Sequence, residues 1–100
     1  MASELHIGTG TDSATLVLSG QLDSQTAPKL AERLEEWGAT RPLAVDLAGI
    51  DFIDRAGLDV LISARKAHED ARNSMALDRP SNAVVSMFEI ADLTDHLKSD

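Results

Sequence analysis

One stretch decides the fold of this chain, and it reads Val45-Asp-Leu-Ala-Gly-Ile-Asp-Phe-Ile-Asp-Arg-Ala-Gly-Leu-Asp-Val-Leu-Ile62. Its apolar opening, together with Leu43 and Ala44 before it, predicts a buried strand that includes Leu47. A helix is predicted to begin at Asp54, because a short carboxylate can accept hydrogen bonds from the free backbone N–H groups two and three residues further on. A short acidic loop is expected between the two elements, through Ile50, Phe52 and Ile53.

The predicted helix has a narrow polar stripe and is apolar over the rest of its surface. The stripe has helical spacing and consists of Asp59, Ser63, Lys66 and Asp70. The apolar positions are Leu58, Leu61, Ile62, Ala64, Ala67 and Ala71. A helix that is apolar over so much of its girth is expected to pack on a sheet. Gly57 in the first turn costs about 1 kcal/mol relative to alanine, so its missing side chain indicates that the sheet or a partner comes close.

Two strands joined by a hairpin are predicted at the start of the chain. Residues 5–7 alternate between apolar and polar, the segment 8–13 predicts a turn, and a second alternating run covers residues 14–19. A helix follows, with Thr26 as its predicted cap and Gly38 at its end. Its apolar face, which is predicted to enter the core, consists of Leu30, Leu34 and Trp37.

The last part of the chain predicts a short strand and another helix. Residues 75–77 are apolar enough for a strand, and Ser81 or Asn82 can cap the helix that follows. The apolar side of this helix is expected to consist of Val84, Val85, Phe88 and Ile90. Residues 98–100 are expected to be loose, and the residues expected to fold back on the core are Leu93 and Leu97.

This order of elements predicts an α/β fold with one mixed four-stranded sheet. Because strand–helix–strand crossovers are right-handed, the helices are expected mainly on one face of the sheet, which leaves the other face thinly covered. The chain has 100 residues, 43% of them apolar, which is enough for one core and too little for two. A single domain spanning residues 1–100 is therefore predicted.

The charge of the chain argues against one class of partner. It has 17 acidic and 9 basic residues, for a formal net charge of −8, so a nucleic acid would be repelled and basic or mixed protein surfaces are better candidates. The absence of cysteine excludes thiol chemistry and fits a reducing cytoplasm. The sequence has no secretory signal pattern and no apolar run near the roughly 20 residues of a membrane span. We expect a cytoplasmic protein without direct membrane insertion.

No metal, cofactor or catalytic site is predicted. The histidines lie in different predicted elements without ligand spacing and are expected at the surface or at an edge: His6, His68 and His96. Carboxylates crowd the strand–helix junction and could suggest a magnesium site or a phosphorylated aspartate: Asp46, Asp51, Asp54 and Asp59. A receiver-type site also needs an acidic pair after its first strand and a lysine on a later strand, so pairing, turn and cap roles are favoured. The serines have no histidine at a suggestive spacing, which argues against an enzyme.

The start of the central helix resembles a known motif. Asp54-Arg-Ala-Gly-Leu58, which follows Phe52-Ile53, is similar to the helix start of STAS domains, typified by bacterial anti-sigma-factor antagonists. The usual form of that motif is Asp-Ser-Ser/Ala-Gly-Leu. Arg55 stands where the family has its phospho-acceptor serine, so the resemblance implies a position that cannot be phosphorylated.

Two further segments agree with this resemblance and lie in the family's order. Leu18-Ser-Gly-Gln-Leu-Asp23, with Thr26-Ala27 after it, resembles the family's Gly-Glu-Leu-Asp strand end and the helix that follows. Arg79-Pro80-Ser81, with Val84-Val85 after it, resembles the family's Pro-Ser-x-x-Val segment. Together the segments cover nearly the whole chain and imply a STAS-like domain.

The resemblance implies a non-enzymatic signalling protein that binds a kinase-type anti-sigma factor, or a related regulator, in partner switching. Its implied partner-binding residues are Asp23, Asp54, Arg55, Ala56, Gly57, Leu58, Asp59 and Ser63. The protein is expected to be a monomer or a weak homodimer. The alternative is a structural accessory subunit of a lipid-transport ATPase complex or of a stressosome-like assembly.

Arg55 allows two interpretations. It is either a solvated surface arginine, or a fixed positive charge that forms a bidentate bond with a carboxylate of the partner. A cation in the first turn opposes the helix dipole by about 0.3–1 kcal/mol, which a neighbouring Asp51 or Asp59 can offset. If the protein is phosphorylated at all, the nearest acceptors in sequence are Ser63 and Ser24.

Overall fold

The strands form one mixed sheet in the order in which they occur along the chain. The computed structural model describes residues 2–12 and 14–97, and its elements are β1 Leu5–Thr9, β2 Thr15–Leu22, α1 Ala27–Trp37, β3 Leu43–Ile53, α2 Arg55–Asp70, β4 Met75–Asp78 and α3 Asn82–Ile90. The sheet order is β1-β2-β3-β4, with β1 antiparallel to β2, and β2, β3 and β4 parallel. The predicted order of elements and the mixed sheet are confirmed. Two predictions lie outside the described residues, namely Ser13 in the first turn and the loose segment 98–100.

The core lies between one face of the sheet and the helices. Leucines that alternate along β2 are fully buried, whereas Val17 between them is 38% exposed, so the opposite face of the sheet is open. The largest fully buried side chains from the helices are Leu30, Leu58, Leu61, Val84 and Phe88. Trp37 also belongs to this cluster, as predicted, and Leu93 and Leu97 pack against its margin. Placement of the helices on one face is therefore confirmed.

Strand β3 is longer than the sequence predicts. It continues to Ile53, so the predicted acidic loop through Ile50, Phe52 and Ile53 is wrong. The register against β2 shifts twice, and each shift inserts one extra residue into β3. Such bulges break the alternation of inward and outward side chains. The buried positions consequently recur every third residue, at Leu47, Ile50 and Ile53, a pattern that does not resemble a strand in the sequence.

Helix α2 buries a different arc from the one predicted. Leu58 and Leu61 are fully buried and Ile62 and Ala64 are half-buried, but Ala67 and Ala71 are exposed. His68 is buried instead, with only 2% of its surface exposed, so its predicted surface position is wrong. Its Nδ1 lies 3.0 Å from the carbonyl oxygen of Ala64 and its Nε2 lies 3.2 Å from that of Arg41. A carbonyl oxygen can only accept, so the ring N–H has an acceptor at either nitrogen, and this allows the imidazole to be buried.

The ends of the other helices differ in detail from the predictions. Ser81 caps α3 as predicted, with its Oγ accepting from the N–H of Val84 at 3.3 Å. Thr26 occupies the position before α1 but makes no side-chain cap bond, because its hydroxyl oxygen instead accepts from the N–H of Asp23 at 3.0 Å while its O–H donates to the carbonyl of Gln21 at 2.7 Å. Ile90, predicted on the apolar side of α3, is 82% exposed, because α3 ends at that residue.

Candidate functional site

Asp54 fixes the junction between the sheet and α2. Its backbone is extended, with φ −117° and ψ −171°, and its Oδ1 accepts a hydrogen bond from the N–H of Gly57 at 3.1 Å. Its own N–H donates to the carbonyl of Leu22 at 3.1 Å. The predicted cap is therefore confirmed, and the same residue ties the first turn of α2 to the end of β2.

Gly57 brings α2 against the sheet. A Cβ placed on this residue would lie 2.5 Å from the carbonyl oxygen of Leu22 and 2.6 Å from its Cγ. No real side-chain carbon sits so close to other heavy atoms, so the glycine allows the helix start to touch the end of β2. The sequence left open whether the sheet or a partner comes close at Gly57. In this structure it is the sheet.

The loop between β2 and α1 lies beside this junction and is organised by Asp23. Its Oδ1 accepts from the N–H groups of Gln25 at 2.9 Å and Thr26 at 3.2 Å, and the Ser3 hydroxyl donates to its Oδ2. The Ser3 hydroxyl, followed by the backbone N–H groups of Gln25 and Thr26, holds the pKa of Asp23 below its ordinary value, and partial burial opposes this shift. Hydrogen bonds to a carboxylate favour its charged form. Asp23 therefore stabilises the loop that flanks the helix start.

The outer side of the helix start is polar and exposed. The Nε of Arg55 donates to Oδ1 of Asp59 at 3.0 Å, and the two side chains are 72% and 61% exposed. Ser63 continues the same face one turn further on and is also exposed. An exposed pair of this kind contributes about 0–1 kcal/mol to stability, so Arg55 and Asp59 can both exchange their contact for one with a partner. We call Arg55, Asp59 and Ser63 the helix-start surface.

The structure separates the sequence-predicted residues of this helix start into three groups. Arg55, Asp59 and Ser63 are exposed, whereas Gly57 and Leu58 are buried and present no side chain to a partner in this structure. Asp54 and Ala56 are half-buried. The buried members hold α2 on the sheet, and the exposed members form the surface above them.

Phe52 is an additional candidate that the sequence analysis placed in a loop. It lies near the end of β3, two residues before Asp54, and is 50% exposed. Its neighbour Asp51 accepts a hydrogen bond from the amide of Gln21 at 2.9 Å, which links β2 to β3 at this point. Exposed aromatic and arginine side chains are enriched where proteins bind one another. The signal available in the sequence was an aromatic residue directly before the capped helix.

The carboxylates near this junction have separate local partners. Asp46 accepts from the N–H of Ala48 at 3.0 Å and pairs with Arg79 at 3.4 Å, while Asp54 caps α2 and Asp59 pairs with Arg55. Across residues 2–12 and 14–97, no group of three or more histidine, aspartate or glutamate side chains is placed to hold a metal ion. The pairing and cap roles predicted for Asp46 and Asp54 are confirmed. None of the helices in that part of the chain has the length and apolar composition needed to cross a membrane.

A mixed sheet covered on one face, with a capped, glycine-containing helix start at the ends of its two central strands, defines a small α/β domain of STAS architecture. The chain belongs to the STAS domain family, because residues 5–98 match the family model described as "Mlab, STAS domain". It is 31% identical over 87 residues to the anti-sigma-B factor antagonist of Listeria monocytogenes, an alignment that covers 85% of this chain and 76% of that protein.

Solved structures show the same fold. An anti-sigma factor antagonist from Mycobacterium paratuberculosis superposes with a TM-score of 0.77 at 18% identity, covering 94% of this chain and 83% of that one. The anti-sigma factor antagonist SpoIIAA in its unphosphorylated form superposes with a TM-score of 0.72 at 18% identity, covering 99% and 88%. At this identity the structures establish the fold, and the resemblance stated from the sequence motifs is confirmed.

Proposed function

We propose that this protein is an anti-sigma factor antagonist that acts by binding a kinase-type anti-sigma factor, without catalysing a reaction itself. The observation that carries the proposal is the exposed helix start on a STAS domain, in a chain that is 31% identical to an anti-sigma-B factor antagonist. The proposed setting is the cytoplasm. The protein works by occupancy, because a partner held by the antagonist is not free to hold its sigma factor.

The contact is proposed to centre on the helix-start surface. Arg55 and Asp59 offer one charge of each sign, and both side chains are more than half exposed. Phe52, two residues before Asp54 at the end of β3, adds an exposed apolar ring. Asp23, Asp54, Ala56, Gly57 and Leu58 complete the proposed set, the buried members by fixing the position of α2.

Arg55 is proposed to change how the interaction is regulated. In the resemblance to STAS antagonists, the residue after the cap is a serine, and phosphate there would add about −1.5 to −2 charge at the interface. Arg55 has no hydroxyl group, so this position carries a permanent positive charge. Ser24 and Ser63 are exposed and are the acceptors to consider instead. The partner is proposed to present a carboxylate opposite Arg55.

Titration calorimetry with the purified anti-sigma factor tests the function. Arg55→Gln should weaken binding about tenfold or more, because it removes a charge from the centre of the contact. Lys66→Gln is the matched control, since Lys66 is an exposed cation further along α2, and it should bind like the wild type. Failure of the wild-type protein to bind any anti-sigma factor encoded in the same genome would overturn the proposal.

Arg55 also favours a second candidate, a structural accessory subunit of a lipid-transport ATPase complex or a stressosome-like assembly. A subunit that stays bound does not need a residue that accepts phosphate, and Arg55 occupies the position where the family has its phospho-acceptor serine. Co-purification of the tagged protein from its own cells separates the two candidates. Stable recovery of an ATPase or of a large assembly would support the second, whereas recovery of a sigma-factor regulator would support the first.

A further inference from the structure

An open groove separates α1 from α2 on the outside of the domain. Its volume is about 600 Å³, and its apolar walls consist of Ala31, Leu34 and Gly38 from the α1 side and Val60, Ala64 and Ala67 from α2. Four of these six residues are alanine or glycine, so short side chains leave the space between the helices unfilled. Ala67 was predicted to be buried and is exposed because it faces this space.

The charged side chains that line the groove are acidic. Glu35 from α1 and Asp59 from α2 line it, and among its described lining residues there is no lysine or arginine. Both ring nitrogens of His68 face backbone carbonyl oxygens, so the imidazole is engaged inside the domain. The chain as a whole carries a net charge of −8. The groove therefore offers apolar surface bordered by negative charge.

The groove is continuous with the helix-start surface. Asp59 and Ser63 belong to that surface and also line the groove. A partner that contacts Arg55 and Asp59 and extends along α2 would therefore also contact the groove residues Val60, Ala64 and Ala67. Both walls are helical and bear small residues, and this is the shape that receives the apolar face of another helix.

We propose that this α1–α2 groove binds an amphipathic helix of the partner, with medium-sized apolar side chains toward Ala64 and Ala67 and a lysine or arginine opposite Glu35. This inference rests on the proposed function, because it assigns the second half of the same partner's contact. An acidic helix or an anionic lipid is repelled by Glu35 and by the net charge of −8, whereas Asp59 contributes less because it is paired with Arg55. The volume fits the few apolar anchors that such helices place in a groove.

A peptide experiment tests the groove without the natural partner. The probes are a synthetic helix of leucine and lysine and a matched helix of leucine and glutamate, titrated into the isotope-labelled protein and followed by NMR. The basic helix should shift the amide signals of Ala31, Ala64 and Ala67, and the acidic helix should not. Shifts confined to other surfaces, equal shifts with both helices, or no shifts would overturn the proposal. Shifts of the groove signals on adding indole alone would also overturn it, since they would assign the groove to a small molecule. Shifts on raising the protein concentration alone would do the same, since they would assign the groove to a second copy of the chain.

Matched variants separate groove binding from general attraction to an acidic protein. Ala67→Leu fills the groove and should weaken binding of the basic helix about tenfold, whereas Ala71→Leu, at an exposed alanine just beyond α2 that does not line the groove, should stay within about twofold. Glu35→Lys should weaken binding, and Glu36→Lys is the control with the same change in net charge. Equal effects within each pair would contradict the proposal. Thermal melts of all four variants show whether each is folded.

The anti-sigma factor then connects the two proposals. Ala67→Leu should weaken its binding about tenfold, with Ala71→Leu again as the control. If the wild type binds and Arg55→Gln weakens binding but Ala67→Leu does not, the groove proposal fails and the proposed function stands. If the wild type does not bind at all, the proposed function fails, and the peptide titration still decides whether the groove receives a basic helix.

Discussion

The carbonyl oxygen of Leu22 lies 2.5 Å from the point where a Cβ on Gly57 would stand. This closeness joins the end of β2 to the first turn of α2, and Asp54 reinforces it by donating its N–H to the same carbonyl at 3.1 Å. The position of the helix-start surface therefore depends on a residue that contributes no side chain.

We predict that Gly57→Ala destabilises the domain by about 1–3 kcal/mol, because the new methyl group meets backbone atoms that cannot move aside easily. This net value already includes the gain of about 1 kcal/mol in helix propensity. Urea denaturation measures the change. Gly8→Ala is the control, since a Cβ there meets nothing within 4 Å, and equal stability of the two variants would contradict the assigned contact.

We predict that the loop between β2 and α1 loosens in acid. The pKa of Asp23 is lowered from its ordinary value of 3.8, first by the Ser3 hydroxyl, so the folded state favours the charged carboxylate. The stabilisation is thus fully present at pH values above 3.8 and is lost as the pH falls through the lowered pKa. NMR titration of the Asp23 carboxyl measures this. Ser3→Ala should raise its pKa toward the ordinary value, and Ser24→Ala should leave it unchanged.

We predict that His68→Leu destabilises the protein by about 0.5–1.5 kcal/mol, because the carbonyl of Arg41 loses its imidazole partner and keeps only the 3.4 Å hydrogen bond from Nε1 of Trp37. The distance between His68 Nε2 and the Arg41 carbonyl oxygen is 3.2 Å, and the contact joins α2 to the segment before β3. Urea denaturation again provides the measurement. His6→Leu, at a side chain that is 74% exposed, should leave stability nearly unchanged. If His68→Leu leaves the free energy of unfolding unchanged, the hydrogen bond contributes nothing and packing alone accounts for the burial of this residue.

We predict that Leu61→Asp destabilises the domain by several kcal/mol, because Leu61 is fully buried and the new carboxylate would have no partner in the core. Ile62→Asp should cost less, since Ile62 is only half-buried. Circular dichroism melts compare these variants with Ser63→Asp on the exposed face of α2. Melting of Leu61→Asp close to the wild type would show that α2 packs differently.

We predict that the helix start accepts no phosphate. Neither Arg55 nor Ala56 has a hydroxyl group, so incubation with the cognate kinase and ATP should add no phosphate within residues 54–58, as measured by intact mass and peptide mapping. A phosphate on Ser63 or Ser24 would reveal a relocated switch. Arg55→Ser should restore phosphorylation if the kinase still recognises this surface. A stoichiometric phosphate on the wild-type helix start would contradict the prediction.

The features that the sequence predicted correctly depend on residues close together along the chain. The Asp54 cap requires only the next few residues to be helical, and the Ser81 cap has the same local origin. The order of strands and helices, the burial of Leu58 and Leu61, and the STAS motif also followed from short-range patterns. Such features survive folding because the interactions that create them are already present within one turn or one strand.

Other features depend on residues that meet only in the folded domain. The length of β3 is decided by its shifting register against β2, which no periodicity within β3 reveals. The burial of His68 depends on the carbonyl of Arg41, 27 residues away in the chain. The exposure of Ala67 follows from how far apart α1 and α2 lie. The sequence by itself determined the family, the elements and the charge at Arg55. Only the tertiary structure decided that Gly57 packs against the sheet, that Phe52 is exposed and that a groove lies beside the helix-start surface. Each of these features depends on distances between separate elements.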